Sequence, residues 1–131
     1  MDELPIVTGD DIVRVRQRVR SAAASGALSL VDQTKLVTAA SELARNVLIH
    51  GGGGSATIEP VLSPAGRKGV RITFRDDGPG IPDVQLALTD GWTTGDGLGL
   101  GLSGARRLVD EFDLSSSPGK GTVVVVAKWS R

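Results

Sequence analysis

At 131 residues, 40% of them hydrophobic, the chain has the length and composition of one ordinary globular domain with its own core. Fifteen Lys and Arg balance fifteen Asp and Glu, which leaves no electrostatic footprint for nucleic acid or an anionic membrane. Cysteine is absent, which excludes disulfides, thiolate metal sites and thiol nucleophiles, and with 3% aromatics the core must rest on Val, Leu, Ile and Ala.

The opening Met1-Asp2-Glu3-Leu4-Pro5 lacks the basic-then-apolar pattern of a signal peptide, and no apolar run approaches the ~20 residues needed to span a bilayer. A soluble, cytoplasmic protein is expected. Pro5-Ile6-Val7 predicts a short edge strand. Thr8-Gly9-Asp10-Asp11 reads as a helix start, and Ile12, Val15, Val19, Ala22 and Ala23 recur at helical spacing as far as Ser25-Gly26. Arg14, Arg16, Arg18 and Arg20 fall mostly off that face, as a solvated surface or a docking surface for an acidic partner. Ser29 to Asp32 has capping-box spacing. A second helix over 30–50 should bury Val31, Leu36, Val37, Ala40, Leu43, Ala44, Val47 and Leu48. His50 ends it, where an imidazole suits the helix dipole. Gly51-Gly52-Gly53-Gly54 then fits a helix C-terminus and a flexible joint. As a phosphate cradle it is discounted, since anion sites precede helices.

Segments 56–62 and 70–75 alternate as two strands of a hairpin across a polar turn at 63–69. The second strand runs into Asp76-Asp77-Gly78-Pro79-Gly80, a tight turn that begins on two carboxylates. This turn is either ordinary surface or a place where a flat ligand lies against a backbone without Cβ atoms, with Asp76 accepting a hydrogen bond from its edge. A short helical piece from Ile81 through Leu88, a polar loop over 89–96 carrying Trp92, and a helix through Ala105, Leu108 and Val109 follow. A strand at 112–115, a turn at 118–121 and a final strand at 122–128 complete the chain. Val123 to Val126 predicts burial on both sides. The expected fold is α+β: a two-layer α/β sandwich in one domain, 1–131, with helices on one face of a mixed, mostly antiparallel sheet.

Three groups of residues carry candidate chemistry. Glu42 and Asn46 share one helix face four residues apart, either as a solvent-facing pair or as a catalytic carboxylate one turn from a carboxamide metal ligand. The Asp76 turn is the second group. Gly97, Gly99 and Gly101 alternate just before a helix, so their backbone N–H groups point at an anion. Gly99 to Gly104 also matches a dinucleotide fingerprint, but no strand precedes it and position 121 is Gly where an acid is required. Gly119-Lys120-Gly121-Thr122 fails as a P-loop, because its first glycine is missing and a strand follows.

In chain order, Glu42-x-x-x-Asn46, Asp76-x-Gly78-x-Gly80, Gly97-x-Gly99-x-Gly101 and Gly121-Thr122 resemble the asparagine-helix, first glycine, second glycine and terminal threonine motifs of the GHKL superfamily. That superfamily holds gyrase, Hsp90, histidine kinases and MutL and has the Bergerat fold. The small size looks like the anti-sigma-factor serine/threonine kinases. Asp76 to Asp83, Asp90-Gly91-Trp92-Thr93-Thr94 and Arg107 to Phe112 are similar to the switch-kinase group of the stressosome. The resemblance implies ATP and Mg²⁺ as cofactors. It implies that Asp76 binds the adenine amino group, supported by Thr122, and that Gly78 and Gly80 let the base lie against the backbone. Asn46 would hold Mg²⁺. Gly97, Leu98, Gly99, Leu100 and Gly101 would wrap the phosphates, under a short lid over 83–96 with Trp92 and Thr93 near it. Glu42 would be the general base, and Arg45 would reach the γ-phosphate or a partner's acids, or make a surface salt bridge. The implied partners are a STAS-domain antagonist as substrate and a PP2C-type phosphatase, with a sigma factor as an alternative; no nucleic acid or membrane is implied. An anti-sigma factor and a non-catalytic ATP-sensing module are the rival functions.

Overall fold

The computed structural model describes residues 2–81 and 101–131. An edge strand β1 (Asp2–Ile6) leads into two helices, α1 (Gly9–Ser25) and α2 (Leu30–Ile49). The hairpin strands β2 (Gly54–Leu62) and β3 (Lys68–Asp76) come next, then a short helix α3 (Leu102–Leu108) and the hairpin β4 (Glu111–Ser116) and β5 (Thr122–Trp129). The strands form one sheet in the order β1-β2-β3-β5-β4, and every described pairing is antiparallel. The helices lie on one face, so the two-layer sandwich expected from the sequence is the observed architecture.

Both long helices begin where their caps specify. The Asp11 carboxylate accepts from the Val7 and Thr8 amides at 2.8 and 3.0 Å, and Ser29 Oγ accepts from the Asp32 amide at 3.1 Å. Those amides hold the Asp11 carboxyl below the usual carboxylate range, with Arg14 adding to the effect. Val15, Val19 and Ala23 of α1 and Leu36, Ala40, Leu43 and Val47 of α2 pack onto Ala56, Ile58, Val70, Ile72, Phe74, Val124 and Val126 of the sheet. Each fully buried aliphatic or aromatic side chain contributes about 1.5–3 kcal/mol.

Three expectations change. Val31 stands 65% exposed; the buried place at the start of α2 belongs to Asp32, which reaches the buried Lys128 Nζ at 3.7 Å. The valine run of β5 is not buried evenly, because the described helices occupy one face: Val124 and Val126 are buried while Val123 and Val125, on the other face, are only partly buried. The glycine run is a tight-packing corner where a joint was expected. Gly53 N–H donates to Val47 O at 2.9 Å, a Cβ on Gly54 would lie 1.9 Å from Arg75 O, and Gly54 already belongs to β2.

A polar cluster closes the far end of the sheet. Asp110, just before β4, accepts from the Trp129 amide at 2.8 Å and from Arg131 Nη2 at 2.7 Å, and lies 3.9 Å from Lys128 Nζ. Burial works to raise Asp110, but these donors and cations outweigh it and leave the carboxyl below its usual range.

Candidate functional site

At the opposite end of the sheet, the C-terminal half of α2, the ends of β3 and β5, the 77–81 turn and the start of α3 enclose a cavity of about 170 Å³. Its walls are mostly apolar: Leu43, Val47, Phe74, Ile81, Leu102 and Val124. The polar side chains among them are Asn46, His50, Asp76 and Thr122. Helical geometry explains the first two, because Glu42, Asn46 and His50 succeed one another at four-residue steps and so share a face. Strand register explains the other two. Asp76 pairs directly with Thr122, and Phe74 with Val124, so all four face the same side of the sheet.

Asp76 is 9% exposed. Its Oδ1 accepts from the Gly78 amide at 2.9 Å, the local bond that closes the turn. Burial raises its carboxyl above the ordinary aspartate value; the Gly78 and Thr122 amides offset part of this, and the neighbouring Asp77 charge adds to it. A carboxylate kept in an apolar wall at that cost is suited to a ligand that donates a hydrogen bond to it.

The glycines here serve close backbone passage. A Cβ on Gly78 would lie 2.7 Å from Gly51 Cα, and one on Gly80, whose φ is +78°, would lie 2.2 Å from Ser117 O. The room left by their missing side chains is therefore filled by protein, and Gly80 lines the cavity with its backbone alone. Gly51 backs directly onto Asp76, since a Cβ there would lie 2.4 Å from the carboxylate carbon. Gly121, with φ +79°, passes the Asp76 carbonyl equally closely.

Glu42 is half-buried and is not in the cavity lining, although its chain neighbour Leu43 is. Gly101, the residue that opens α3, has φ +67° and passes so near that a Cβ on it would lie 2.6 Å from Glu42 Oε2. The structure thus brings Asn46, Asp76, Gly80 and Thr122 into the lining of one cavity, sets Glu42 and Gly101 against each other next in sequence to its lining residues Leu43 and Leu102, and places Gly78 against Gly51. Thr93, Gly97, Leu98, Gly99 and Leu100, with the 83–96 lid, Trp92 and most of the helical piece begun by Ile81, lie outside the described residues.

Sequence reasoning missed His50 and Gly51 as wall residues, although continuing the four-residue step from Glu42 and Asn46 leads straight to His50. Ser116 was also missed. Its Oγ accepts from the Ile81 amide at 2.8 Å and lies 2.9 Å from Thr122 Oγ1. Among the described residues no helix is long and apolar enough to cross a membrane, and no group of three or more His, Asp or Glu side chains is placed to hold a metal ion.

Comparison with known proteins agrees with this architecture. The family described as histidine kinase-, DNA gyrase B- and HSP90-like ATPase matches residues 31–130. The chain is 46% identical over 126 residues to the serine/threonine-protein kinase RsbT of Bacillus subtilis (strain 168), covering 96% of this chain and 94% of that protein. It is 36% identical over 98 residues to an anti-sigma F factor of Thermoanaerobacter sp. (strain X514), covering 70% and 66% respectively. Among solved structures, the RsbU and RsbW domains of a Mycobacterium tuberculosis protein superpose with a TM-score of 0.64 at 23% identity, over 100% of this chain and 33% of that longer one. The catalytic domain of histidine kinase ThkA superposes with a TM-score of 0.57 at 17% identity, over 99% and 97%. At these identities the structural likeness speaks for the fold.

Proposed function

The chain belongs to the histidine kinase-, DNA gyrase B- and HSP90-like ATPase family, and we propose that within it this protein is an ATP- and Mg²⁺-dependent serine/threonine protein kinase of a partner-switching pathway. The observation that supports the reading is a buried carboxylate, Asp76, in the lining of an apolar cavity, with a second carboxylate, Glu42, one residue from the lining residue Leu43. Asp76 is buried in the base-sized apolar pocket behind Gly51, and Glu42 stands against Gly101, the residue that opens α3. Two four-residue steps along α2, from Glu42 through Asn46 to His50 in the cavity lining, span about 12 Å, the scale of a nucleotide laid from base to terminal phosphate.

The residues present fit that ligand. Apolar walls from Val47, Phe74, Ile81 and Val124 suit the faces of a purine, and Asp76 and Thr122 suit its amino edge. Asn46 would offer one carboxamide oxygen to a Mg²⁺ ion, which needs few protein ligands beside phosphate and water. When bound, that ion screens the charge of the phosphates. In the transfer itself, the acceptor hydroxyl oxygen bonds to the γ-phosphorus, the bond from phosphorus to the β-bridging oxygen breaks, and ADP leaves. Glu42 takes the hydroxyl proton, a contribution of about 10²–10⁴-fold in rate. Positioning and electrostatics supply most of the remainder.

The acceptor we assign is a serine or threonine of a STAS-domain antagonist, with binding and activation of a PP2C-type phosphatase as the alternate state. The identity to a relative named as a serine/threonine-protein kinase over nearly its full length supports this. A second reading, sequestration of a sigma subunit, is favoured by the relatives named anti-sigma F factor. Incubation with γ-labelled ATP, Mg²⁺ and a candidate antagonist separates them. Label on the antagonist, lost in Glu42→Ala, supports the kinase. Nucleotide binding with no transfer to any antagonist leaves an ATP-sensing module, and co-purification with a sigma subunit favours the second reading.

A further inference from the structure

The inner faces of β4, β5 and β3 end in a cross-strand row: Ser116 pairs with Thr122, and Thr122 with Asp76. Among the described residues, Ser116 Oγ has three hydrogen-bonding neighbours. They are the Ile81 amide at 2.8 Å, the Gly121 carbonyl oxygen at 3.1 Å and Thr122 Oγ1 at 2.9 Å. A hydroxyl has one hydrogen to give and two lone pairs to receive, and that count selects one arrangement. The Ile81 N–H must donate to Ser116, because an amide has no other role. The Gly121 carbonyl can only accept, so Ser116 spends its single hydrogen there. Thr122 must then donate its own hydrogen to the remaining lone pair of Ser116. If Ser116 instead donated to Thr122, two acceptor oxygens would face each other across 3.1 Å, one of them on a buried residue.

Thr122 lines the same cavity as Asp76. With its hydrogen committed to Ser116, it offers the cavity lone pairs only. We propose that Ser116 is a positioning residue for base selection: it locks Thr122 as an acceptor, so that Asp76 and Thr122 together read an amino group and reject an oxo group at the same place on the purine. This rests on the nucleotide reading above and assigns that reading a determinant outside the cavity wall. Sites built to match one hydrogen-bond pattern discriminate because the wrong ligand leaves a buried group unpaired or opposed.

The test is titration calorimetry of the full chain with ATP and with inosine triphosphate, its 6-oxo counterpart, both with Mg²⁺. Wild type binds ATP more tightly. In Ser116→Ala the freed Thr122 hydroxyl can turn and donate to the oxo group, so the ATP-to-ITP affinity ratio falls about tenfold, and Ser116→Thr restores it. Thr122→Val lowers the ratio similarly, and the double variant Ser116→Ala/Thr122→Val lowers it no further, since both act through one hydroxyl. An unchanged ratio in Ser116→Ala, or parallel loss of both affinities, overturns the proposal by leaving Ser116 a purely structural role. If Ser116→Ala does not fold, an unchanged ratio in Thr122→Val overturns it as well. Wild type binding neither nucleotide defeats the nucleotide reading itself, a distinct result.

Discussion

Gly51→Ala adds one methyl group behind the proposed base-reading carboxylate. An ideal Cβ at that position lies 2.4 Å from Asp76 Cγ and 2.6 Å from both Asp76 Cβ and Oδ2. Carbon atoms settle at about 3.5–4.0 Å, so the two groups must part by about 1 Å. Rotating the carboxylate does not relieve the clash, because Asp76 Cβ takes part in it. The β3 backbone is held on both sides at Asp76, by Gly54 and by Thr122. The side chain is therefore what moves, and its 2.9 Å bond to the Gly78 amide, stretched by that amount, leaves hydrogen-bonding range. Overpacking of this kind costs about 1–3 kcal/mol of stability. Displacing the carboxylate from a bound adenine loses a charged hydrogen bond of about 1.5–3 kcal/mol, or roughly ten- to hundredfold in Kd. Calorimetry with ATP and Mg²⁺, beside thermal unfolding, measures both. Gly52→Ala is the control: its φ of +75° strains any L side chain, but a Cβ there meets nothing within 4 Å. It should lower Tm and leave Kd alone. Wild-type affinity in Gly51→Ala, or equal loss of affinity in Gly52→Ala, refutes the reasoning.

Further outcomes follow from the structure. Asp76→Asn should raise the Tm of the ligand-free protein, because it removes a buried charge whose folded-state pKa is raised, while weakening ATP binding roughly tenfold or more; unfolding and calorimetry check the two halves separately. The sign for wild type is that Asp76 favours the fold while protonated, fully so below the ordinary aspartate value near 3.8, and loses that contribution as pH rises through its raised value. Accepting an amino group favours the charged form, so ATP affinity should fall as pH drops through that raised value; affinity flat with pH there would count against the role. Asp110→Ala should destabilise by about 2–4 kcal/mol in denaturant unfolding, since it strips one partner from the buried Lys128 and the acceptor from the Trp129 amide. Asp110 and Asp11, both held low, support the fold above about 3.8 and cease to as pH falls through their depressed values, which places an acid limb on stability. Asn46→Ala should make ATP affinity insensitive to Mg²⁺; a full Mg²⁺ dependence in the variant would remove Asn46 as a ligand.

Much of the architecture was legible because its signals are local. Caps at Thr8 and Ser29, helical spacing from Val15 to Ala23, and the two hairpins with their turn residues all specify their elements without help from the rest of the chain. What escaped were features fixed by contacts distant in sequence. Val31 reads as core by spacing, yet the neighbouring Asp32 is buried because Lys128, almost a hundred residues on, waits for it. The Val123 to Val126 run reads as buried on both sides, but a sheet with helices on one face buries only alternate members. Four glycines read as flexible, whereas Gly51 and Gly54 are required by the close approach of β3. In the site, Asp76 and Thr122 were readable as motif residues and their pairing was not, since register between β3 and β5 is set by the whole sheet. Ser116 carried no motif, and only its three hydrogen-bond neighbours show what it touches.

The most direct test of one crevice with a base end and a phosphate end is a crystal structure with a non-hydrolysable ATP analogue and Mg²⁺. The account predicts the adenine amino group within hydrogen-bond distance of Asp76, about 3.5 Å or less, with the terminal phosphate at the Glu42 and Gly101 end. A nucleotide bound in the reverse sense, or seated away from Asp76 altogether, contradicts it.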